Sequence, residues 1–178
     1  MIILVGPSAS GKTEVAKELV KNHGFKKVVT YTTRLPREGE IDGKDYHFIS
    51  LPDFIEKLSN NFFFEYVNYN GNFYGTAKSD LTLDSVVILE PTGFKAYRDS
   101  DLEHIVSFYL ASDDKHRIEW MRKRGDPEAK IEERIKNDKK AFSSENLKGI
   151  KYTLDSNNHS ILELTEMVDS IYKKELEK

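Results

Sequence analysis

The chain has 178 residues, a formal net charge of −3, 38% hydrophobic and 32% charged residues, which suits one compact domain and excludes a disordered chain. It has no cysteine and no apolar run near the roughly 20 residues that span a bilayer, which excludes disulfides, thiolate zinc sites and a transmembrane protein. The mildly acidic net charge argues against a general nucleic-acid surface. No basic signal-peptide region precedes the first apolar run. We therefore expect a cytoplasmic protein without a membrane or nucleic-acid partner.

Apolar periodicity divides the first half of the chain into short elements. Residues 2–5 are all apolar, as in a strand covered on both faces. Phe54, Ile55 and Leu58 recur at helical spacing after the capping residue Ser50. Asn70-Gly71 is a strong signal for a hairpin turn. In chain order, the predicted elements are a strand at 2–5, a helix at 14–21, a loop at 31–45, a strand at 46–49, a helix after Ser50, and strands at 62–69 and 72–76.

The second half of the chain alternates between strands and helices. Two charged helices meet at Gly125, and Ile161, Leu164 and Val168 give the last helix an apolar stripe. The predicted elements are strands at 85–89, 105–110 and 151–155, and helices at 113–124, at 127–142 and from 161 onward. This alternation predicts an α/β fold with a mostly parallel core sheet flanked by helices, interrupted by a more antiparallel segment from about 31 to 80.

Residues 6–13 form a candidate phosphate cradle between the first strand and the first helix. Their sequence, Gly6-Pro7-Ser8-Ala9-Ser10-Gly11-Lys12-Thr13, fits the pattern G-x-x-x-x-G-K-[ST]. The glycines let backbone N–H groups turn toward phosphate oxygens, and the helix N-terminus adds partial positive charge. Lys12 would reach the β- and γ-phosphates and the Thr13 hydroxyl would bind Mg²⁺, so the motif predicts a nucleoside triphosphate site.

Two arginines in the predicted loop are candidates for binding a second anion. Arg34 and Arg37 lie three positions apart, and two guanidinium forks can bracket a phosphate monoester. Tyr46 and Tyr74 could each donate a phenolic hydrogen bond to the same group. The alternative interpretation is that both arginines are simply solvated.

Glu65 is the candidate residue for recognition of a base. It stands among aromatic residues, where a carboxylate is costly unless a partner satisfies it. Guanine offers two adjacent donors, N1–H and the N2 amino group, which one carboxylate accepts together and which adenine cannot present. Hydroxyls from Thr30 and Thr76 could complete such a site. The alternatives for Glu65 are a position on the wet face of a strand or a pairing with a nearby lysine.

Three blocks of sequence together resemble the guanylate kinase family. They are residues 30–48, residues 64–66 and residues 70–76, in the order and at the spacing that the family uses. The resemblance implies a P-loop kinase fold with a core at about 1–30, 81–114 and 141–178, a GMP-binding insertion at about 31–80 and a helical lid at about 115–140. It also implies transfer of the γ-phosphoryl group of ATP to GMP, and to dGMP, with Mg²⁺, in purine nucleotide metabolism.

The resemblance assigns roles to individual residues, each read at its matching position. Around ATP it places residues 6–13, with Thr13 on Mg²⁺. Around GMP it places Thr30, Arg34, Arg37, Tyr46, Glu65, Tyr74, Thr76 and Glu90. The residues that it makes catalytic are Lys12, Arg34, Arg124 and Arg134.

The chain departs from the family pattern near the metal. The family carries a second acidic residue two positions before the position of Glu90, where this chain has Ile88. Mg²⁺ would therefore depend on Thr13, the phosphates, water and Glu90.

The chain also departs from the family pattern in the predicted lid and near the predicted adenine site. Trp120 stands at an upstream lid-arginine position, for which Arg117 or Arg122 could substitute. The adenine contact could fall on Asn157 or on Asn158. These alternatives stay open at the level of sequence, as does the oligomeric state.

Two other function classes share parts of this pattern. Ribose-bisphosphate phosphokinases share the fold but would not need the block of sequence that contains Glu65 and Tyr74. Guanylate-kinase-like domains of membrane-associated scaffolds bind phosphopeptides on a degraded nucleotide site, and the intact Lys12-Thr13 pair argues against that class. A competition assay with GMP, dGMP, AMP and sugar phosphates separates the first alternative, and release of ADP on addition of GMP separates the second.

Overall fold

The computed structural model describes residues 1–69 and 71–178, and within them strands and helices alternate largely as predicted. The strands are β1 Ile2–Val5, β2 Lys26–Lys27, β3 Tyr31–Thr32, β4 His47–Phe48, β5 Phe63–Tyr69, β6 Asn72–Ala77, β7 Ser85–Leu89, β8 Val106–Ala111 and β9 Tyr152–Asp155. The helices are α1 Lys12–Asn22, α2 Leu51–Ser59, α3 Pro91–Arg98, α4 Asp114–Lys123, α5 Glu128–Ala141 and α6 Ile161–Leu176, with a 3₁₀ turn at Lys78–Asp80.

The core sheet has the strand order β2-β7-β1-β8-β9, and its pairings are all parallel. This confirms the predicted parallel sheet flanked by helices. Ile2 and Leu4 of β1 pack toward α1 and α6, whereas Ile3 and Val5 pack toward α3. Because both faces of β1 are covered, its four residues are fully buried, as their uninterrupted apolar sequence predicts. The cradle at 6–13 therefore starts from the rigid centre of the sheet.

A second sheet, with the order β4-β3-β6-β5, lies between β2 and β7 in the sequence. Strands β5 and β6 pair antiparallel, and β3 pairs antiparallel with β6, so the antiparallel character predicted for this segment is confirmed. Asn70 of the predicted hairpin turn lies outside the described residues. The register sets Glu65 opposite Thr76 and Thr32 opposite Tyr74, which gathers candidate residues that are distant in sequence.

Several local predictions were wrong. The segment predicted as a loop at 31–45 begins with strand β3, whose two residues gain their partners from β6 and β4 rather than from any local pattern. Helix α3, which the sequence patterns did not indicate, begins after Glu90 with Pro91 in its first turn, where proline costs no hydrogen bond. Ile55, predicted on the buried face of α2, is 52% exposed, while Phe54 is buried.

Two charged helices, α4 and α5, follow β8 and are separated by Gly125, whose φ of +84° suits glycine. The side chain of Asp113 caps α4 by accepting from the backbone N–H of His116 at 2.8 Å. Met121 and Ile131 are buried between elements, and most of the remaining side chains of the pair are charged and exposed. Across the described ranges, no helix combines the length and apolarity that crossing a bilayer requires.

Candidate active site

The cradle at residues 6–13 connects β1 to α1. A Cβ at Gly6 would lie 2.6 Å from Ser10 Oγ and 2.8 Å from the carbonyl oxygen of Leu110, so only glycine fits there. Gly11, with φ of +90°, turns the chain directly into α1. The N–H groups of the first turn of α1 therefore point out of the helix toward the cradle, as an anion site requires.

Lys12 folds back over the cradle. Its Nζ donates to the carbonyl oxygens of Gly6 at 2.5 Å and of Pro7 at 2.7 Å. Burial lowers the pKa of Lys12, and the carboxylates of Glu90 and Asp138 oppose that shift. A cation held at the mouth of the cradle by backbone carbonyls is positioned to exchange those contacts for phosphate oxygens.

Arg34 is brought together with the two predicted tyrosines. Its guanidinium carbon lies 5.2 Å from the ring centroid of Tyr46, and the rings of Tyr46 and Tyr74 are 6.0 Å apart. Burial raises the pKa of the Tyr46 phenol, with the neighbouring Tyr74 adding to the shift, so this hydroxyl remains a hydrogen-bond donor at neutral pH. The charge of Arg37 also acts on the Tyr46 phenol, while the contacts given above bring together Arg34, Tyr46 and Tyr74.

Glu40 was missed by the sequence reasoning and occupies the centre of this cluster. Its carboxylate accepts from Arg34 at 2.8 Å and from the backbone N–H of Arg37 at 2.7 Å. Burial acts to raise the pKa of Glu40, but these hydrogen bonds outweigh it and hold the pKa below its ordinary value. The sequence signal that could have indicated this role was the position of Glu40, an acidic residue three positions after Arg37 in a turn. In this structure Glu40 takes the place that an anionic ligand would take between the two arginines.

Glu65 is the buried acid that the sequence pattern singled out. It is 9% exposed, and its Oε1 accepts from the Thr76 hydroxyl at 2.7 Å. Burial raises the pKa of Glu65 to about 7, although the Thr76 hydrogen bond acts to lower it. Its second oxygen lies beside Gly93, where an added Cβ would be in ordinary contact at 3.6 Å. The backbone carbonyl oxygen of Thr30 accepts from the backbone N–H of His47 at 3.0 Å, which fixes the chain just before β3.

The two predicted lid arginines converge on one carboxylate, Asp126, which the sequence reasoning also missed. Arg124 Nε donates to Asp126 at 3.1 Å, and Arg134 donates to it at 2.7 Å. The hydrogen bond from Arg124 and the charges of Arg124, Arg134 and Arg37 hold the pKa of Asp126 below its ordinary value. The charge of Arg37, which follows β3, thus also acts on Asp126, between α4 and α5.

The two residues considered as substitutes for Trp120 have different surroundings. Arg122 is exposed and pairs with Glu128 at 2.7 Å, whereas Arg117 is 3% exposed and donates to the carbonyl oxygen of Ser8 at 2.8 Å. Trp120 itself is 54% exposed. Arg117 therefore meets the cradle, and Arg122 does not.

The oxygen donors near Lys12 fit Mg²⁺, which prefers carboxylate, hydroxyl and phosphate ligands. Thr13 lies in the first turn of α1, and Glu90 directly follows β7. The charge of Lys12 opposes the increase in the pKa of Glu90 that burial causes. Ile88 packs against the hydrophobic core and supplies no ligand. Within residues 1–69 and 71–178 no group of three or more acidic or histidine side chains could hold a metal ion alone, so a magnesium ion would share its ligands with phosphates and water.

The two asparagines near the end of β9 have different surroundings. Asn157 Oδ1 accepts from the Ser112 hydroxyl at 3.0 Å and from the backbone N–H of Asp113 at 3.1 Å. Asn158 is exposed and donates to Asp155 at 2.7 Å. Which of them contacts adenine stays a prediction.

A Walker-type cradle on a parallel sheet, combined with a cluster of arginines and tyrosines and a buried carboxylate at a second sheet, is typical of a P-loop kinase. The guanylate kinase family model matches residues 1–175 of the chain. The chain belongs to the guanylate kinase family.

Individual relatives agree with this assignment. A guanylate kinase of Prochlorococcus marinus is 31% identical over 176 residues, which is 94% of each chain. One of Clostridium tetani is 40% identical over 116 residues, and the match spans 62% of this chain and about half, 56%, of that relative. The crystal structure of a guanylate kinase from Anaplasma phagocytophilum superposes with a TM-score of 0.72 at 24% identity, covering 100% of this chain and 86% of the other, which shows the shared fold.

Proposed function

We propose that the chain is an ATP:GMP phosphotransferase that converts ATP and GMP, and also dGMP, to ADP and GDP or dGDP in cytoplasmic purine nucleotide metabolism. One observation carries the proposal beyond family membership. A buried carboxylate, Glu65 of β5, held by Thr76, shares its sheet with Tyr74 of β6, and Tyr74 lies near Tyr46 and Arg34, which flank β4 and β3; this combination suits a purine monophosphate with adjacent donors on its base.

The segment at about 31–80 is proposed to bind GMP. Glu65 accepts from guanine N1–H and N2, and Thr76 holds Glu65 in the orientation for this contact. Thr30 completes the base site. The phosphate of GMP displaces the Glu40 carboxylate and is held by Arg34, Tyr46 and Tyr74, which lie near one another, and by Arg37, whose backbone N–H shares the Glu40 carboxylate with Arg34.

The cradle at 6–13 is proposed to bind the triphosphate of ATP, with the helical segment at about 115–140 as its lid. Lys12 exchanges its contacts with Gly6 and Pro7 for the β- and γ-phosphates. Arg124 and Arg134 exchange Asp126 for the transferring phosphoryl group. Arg34, Arg124 and Arg134 each keep a carboxylate partner until a phosphate replaces it, so these three guanidinium groups stay paired during closure.

The chemical step needs positioning more than proton transfer. An oxygen of the GMP phosphate, which is anionic at neutral pH, bonds to the γ-phosphorus of ATP while the bond from that phosphorus to the β,γ-bridging oxygen breaks. ADP leaves with the bridging oxygen, and no general base is required. Lys12, Arg34, Arg124 and Arg134 neutralise charge on the phosphoryl oxygens, and closure of the two segments excludes water that would otherwise hydrolyse ATP.

Thr13 and Glu90 are proposed to hold Mg²⁺ together with phosphate oxygens and water. When bound, the ion supplies positive charge to the phosphates during transfer. Thr13 orients its hydroxyl from the first turn of α1, and Glu90 keeps an anionic group beside Lys12.

A nucleotide panel tests the proposed function directly. With ATP and Mg²⁺, ADP release is expected on addition of GMP and dGMP, and not on addition of AMP or ribose 1,5-bisphosphate. A coupled ADP assay measures each rate, with ATP alone as the control. Equal rates with AMP or the sugar phosphate, or ADP release that needs no acceptor, would contradict the assignment.

The pH dependence of GMP binding is a second expected result. Because the folded pKa of Glu65 is raised from 4.5 to about 7, the ionised form that guanine requires becomes dominant only above that pH. GMP affinity is therefore expected to rise between pH 6 and pH 8, with proton release on binding below about pH 7. The same shift means that ionisation of Glu65 opposes folding, so this contribution to stability is present below pH 4.5 and lost as the pH rises through about 7.

Calorimetric titration in buffers of different ionisation enthalpy measures both the affinity and the proton release. The control is Glu65→Gln, because the second ionisation of the GMP phosphate, with a pKa of about 6, contributes equally to both proteins. Identical pH profiles for the two proteins would show that Glu65 does not contact the base.

A further inference from the structure

A buried ion pair between α4 and α5 is hydrogen-bonded to both the backbone N–H and the carbonyl oxygen of Ser8 in the phosphate cradle. Asp138 of α5 accepts from the backbone N–H of Ser8 at 2.9 Å. Arg117 of α4 donates from Nε to the carbonyl oxygen of Ser8 at 2.8 Å and from a terminal nitrogen to Asp138. The exposed fractions of Arg117 and Asp138 are only 3% and 7%, so the whole arrangement is shielded from water.

The segment around Ser8 is also the strained part of the cradle. Ala9, immediately after Ser8, has a φ of +61°, a left-handed conformation that costs a residue with a Cβ about 1–2 kcal/mol. The carbonyl oxygen that Arg117 holds belongs to the peptide bond joining Ser8 to Ala9. If Ala9 rotated to a relaxed conformation, this peptide would move away from Arg117. The hydrogen bond from Arg117 therefore opposes the release of backbone strain at Ala9.

Stability alone does not account for this pair. Burying a guanidinium and a carboxylate carries a desolvation cost that their attraction often fails to exceed, and apolar replacements of similar size are commonly tolerated. What an apolar pair cannot supply is a donor for Ser8 O and an acceptor for Ser8 N–H. Those two hydrogen bonds reach the cradle across 109 and 130 positions of the chain.

We propose that Arg117 and Asp138 are positioning residues that hold the peptides on either side of Ser8, and with them the strained Ala9, in the conformation that binds the triphosphate of ATP. Neither residue is proposed to touch the nucleotide. Without the pair, the cradle relaxes at Ala9, and ATP must restore the left-handed conformation when it binds. The proposal rests on the proposed binding of ATP at residues 6–13, but not on GMP as the acceptor.

The experiment compares binding of a non-hydrolysable ATP analogue with Mg²⁺ by calorimetry in wild type and in Arg117→Met/Asp138→Leu. The double variant removes both charges together and fills their space with apolar side chains, so we expect it to fold. A thermal unfolding measurement checks that it does. We expect the Kd for the analogue to rise about tenfold, which corresponds to relief of roughly the strain at one left-handed residue. Calorimetry with GMP should give the same Kd for both proteins, because the pair lies outside the proposed GMP site.

A rescue variant separates positioning from a general structural role. Adding Ala9→Gly to the double variant removes the Cβ that makes the left-handed conformation costly, so most of the lost affinity is expected to return. The matched control is Arg122→Gln/Glu128→Gln, which removes the exposed ion pair joining the same two helices and should leave analogue binding unchanged.

Two results would overturn the proposal. The first is an unchanged Kd in the folded double variant, and the second is a raised Kd that Ala9→Gly does not lower. If the double variant fails to fold, Arg117→Lys replaces it, because lysine keeps the charge opposite Asp138 but lacks the fork that reaches Ser8 O and Asp138 together. An unchanged Kd in Arg117→Lys would then overturn the proposal. A chain that binds the analogue normally but does not phosphorylate GMP would refute the proposed function and leave this inference standing.

Discussion

Replacing Lys12 with alanine is expected to lower kcat for phosphoryl transfer by about 10²–10³-fold, or roughly 3–4 kcal/mol of transition-state stabilisation. The ammonium group already lies at the mouth of the cradle, held by the carbonyl oxygens of Gly6 and Pro7. In the proposed mechanism it stands where negative charge accumulates on the β,γ-bridge as the phosphoryl group leaves. GMP is proposed to bind at a different sheet, so the Kd for GMP should stay the same.

Steady-state kinetics with saturating GMP, together with calorimetric binding of GMP, measures these two quantities separately. Lys12→Met serves as a second variant that keeps the apolar stem, and it should lose activity to the same extent because the charge is what matters. Lys17→Ala is the control on the same helix, since Lys17 is 60% exposed and pairs with Glu14. Near-normal turnover in Lys12→Met would remove this residue from the mechanism.

Glu65→Gln is expected to lose about 1–3 kcal/mol of discrimination between GMP and AMP. In the variant, the amide oxygen keeps the hydrogen bond from Thr76, which turns the amide nitrogen toward the base. A donor then faces the two donors of guanine, and the paired acceptance that selects guanine is gone. Stability should not fall at pH 8, because the variant has no buried charge at this position.

The ratio of kcat/KM for GMP to that for AMP measures this discrimination, and IMP, which lacks the N2 amino group, resolves the second contact. Preference for GMP over IMP should shrink in Glu65→Gln. Glu56→Gln, at an exposed position on α2, is the matched control in the same segment. If both variants keep the wild-type preference, another group reads the base.

Much of the fold follows from patterns that lie close together in the sequence. Strand β7 occupies the predicted residues 85–89, and β1 the predicted residues 2–5, because an uninterrupted apolar run is stable only when both faces of a strand are covered. The capping residue Ser50 and Gly125 mark helix boundaries by local hydrogen bonding and dihedral preference. Strand β3, by contrast, is only two residues long and owes its conformation to pairing with β6, so no local pattern could indicate it.

The charged partners within the site were less predictable. Arg34 and Arg124 were identified from sequence, but the carboxylates that hold them, Glu40 and Asp126, were not. A run of alternating charges has the same appearance whether its members are solvated or converge on one space. The burial of each charged side chain and the direction in which it points distinguish these cases, and both depend on how the helices pack in the fold.

The amino-acid sequence by itself determined the phosphate cradle, the candidate arginines and tyrosines of the second anion site, and the acid placed among aromatic residues. Each depends on spacing over a few residues, where backbone geometry limits what a motif can do. Only the tertiary structure decided that Arg117 rather than Arg122 meets the cradle, and that Asp138 joins it at Ser8. Those contacts join residues more than a hundred positions apart, and they form because α4 and α5 pack against each other and bury Arg117 and Asp138 beside Ser8.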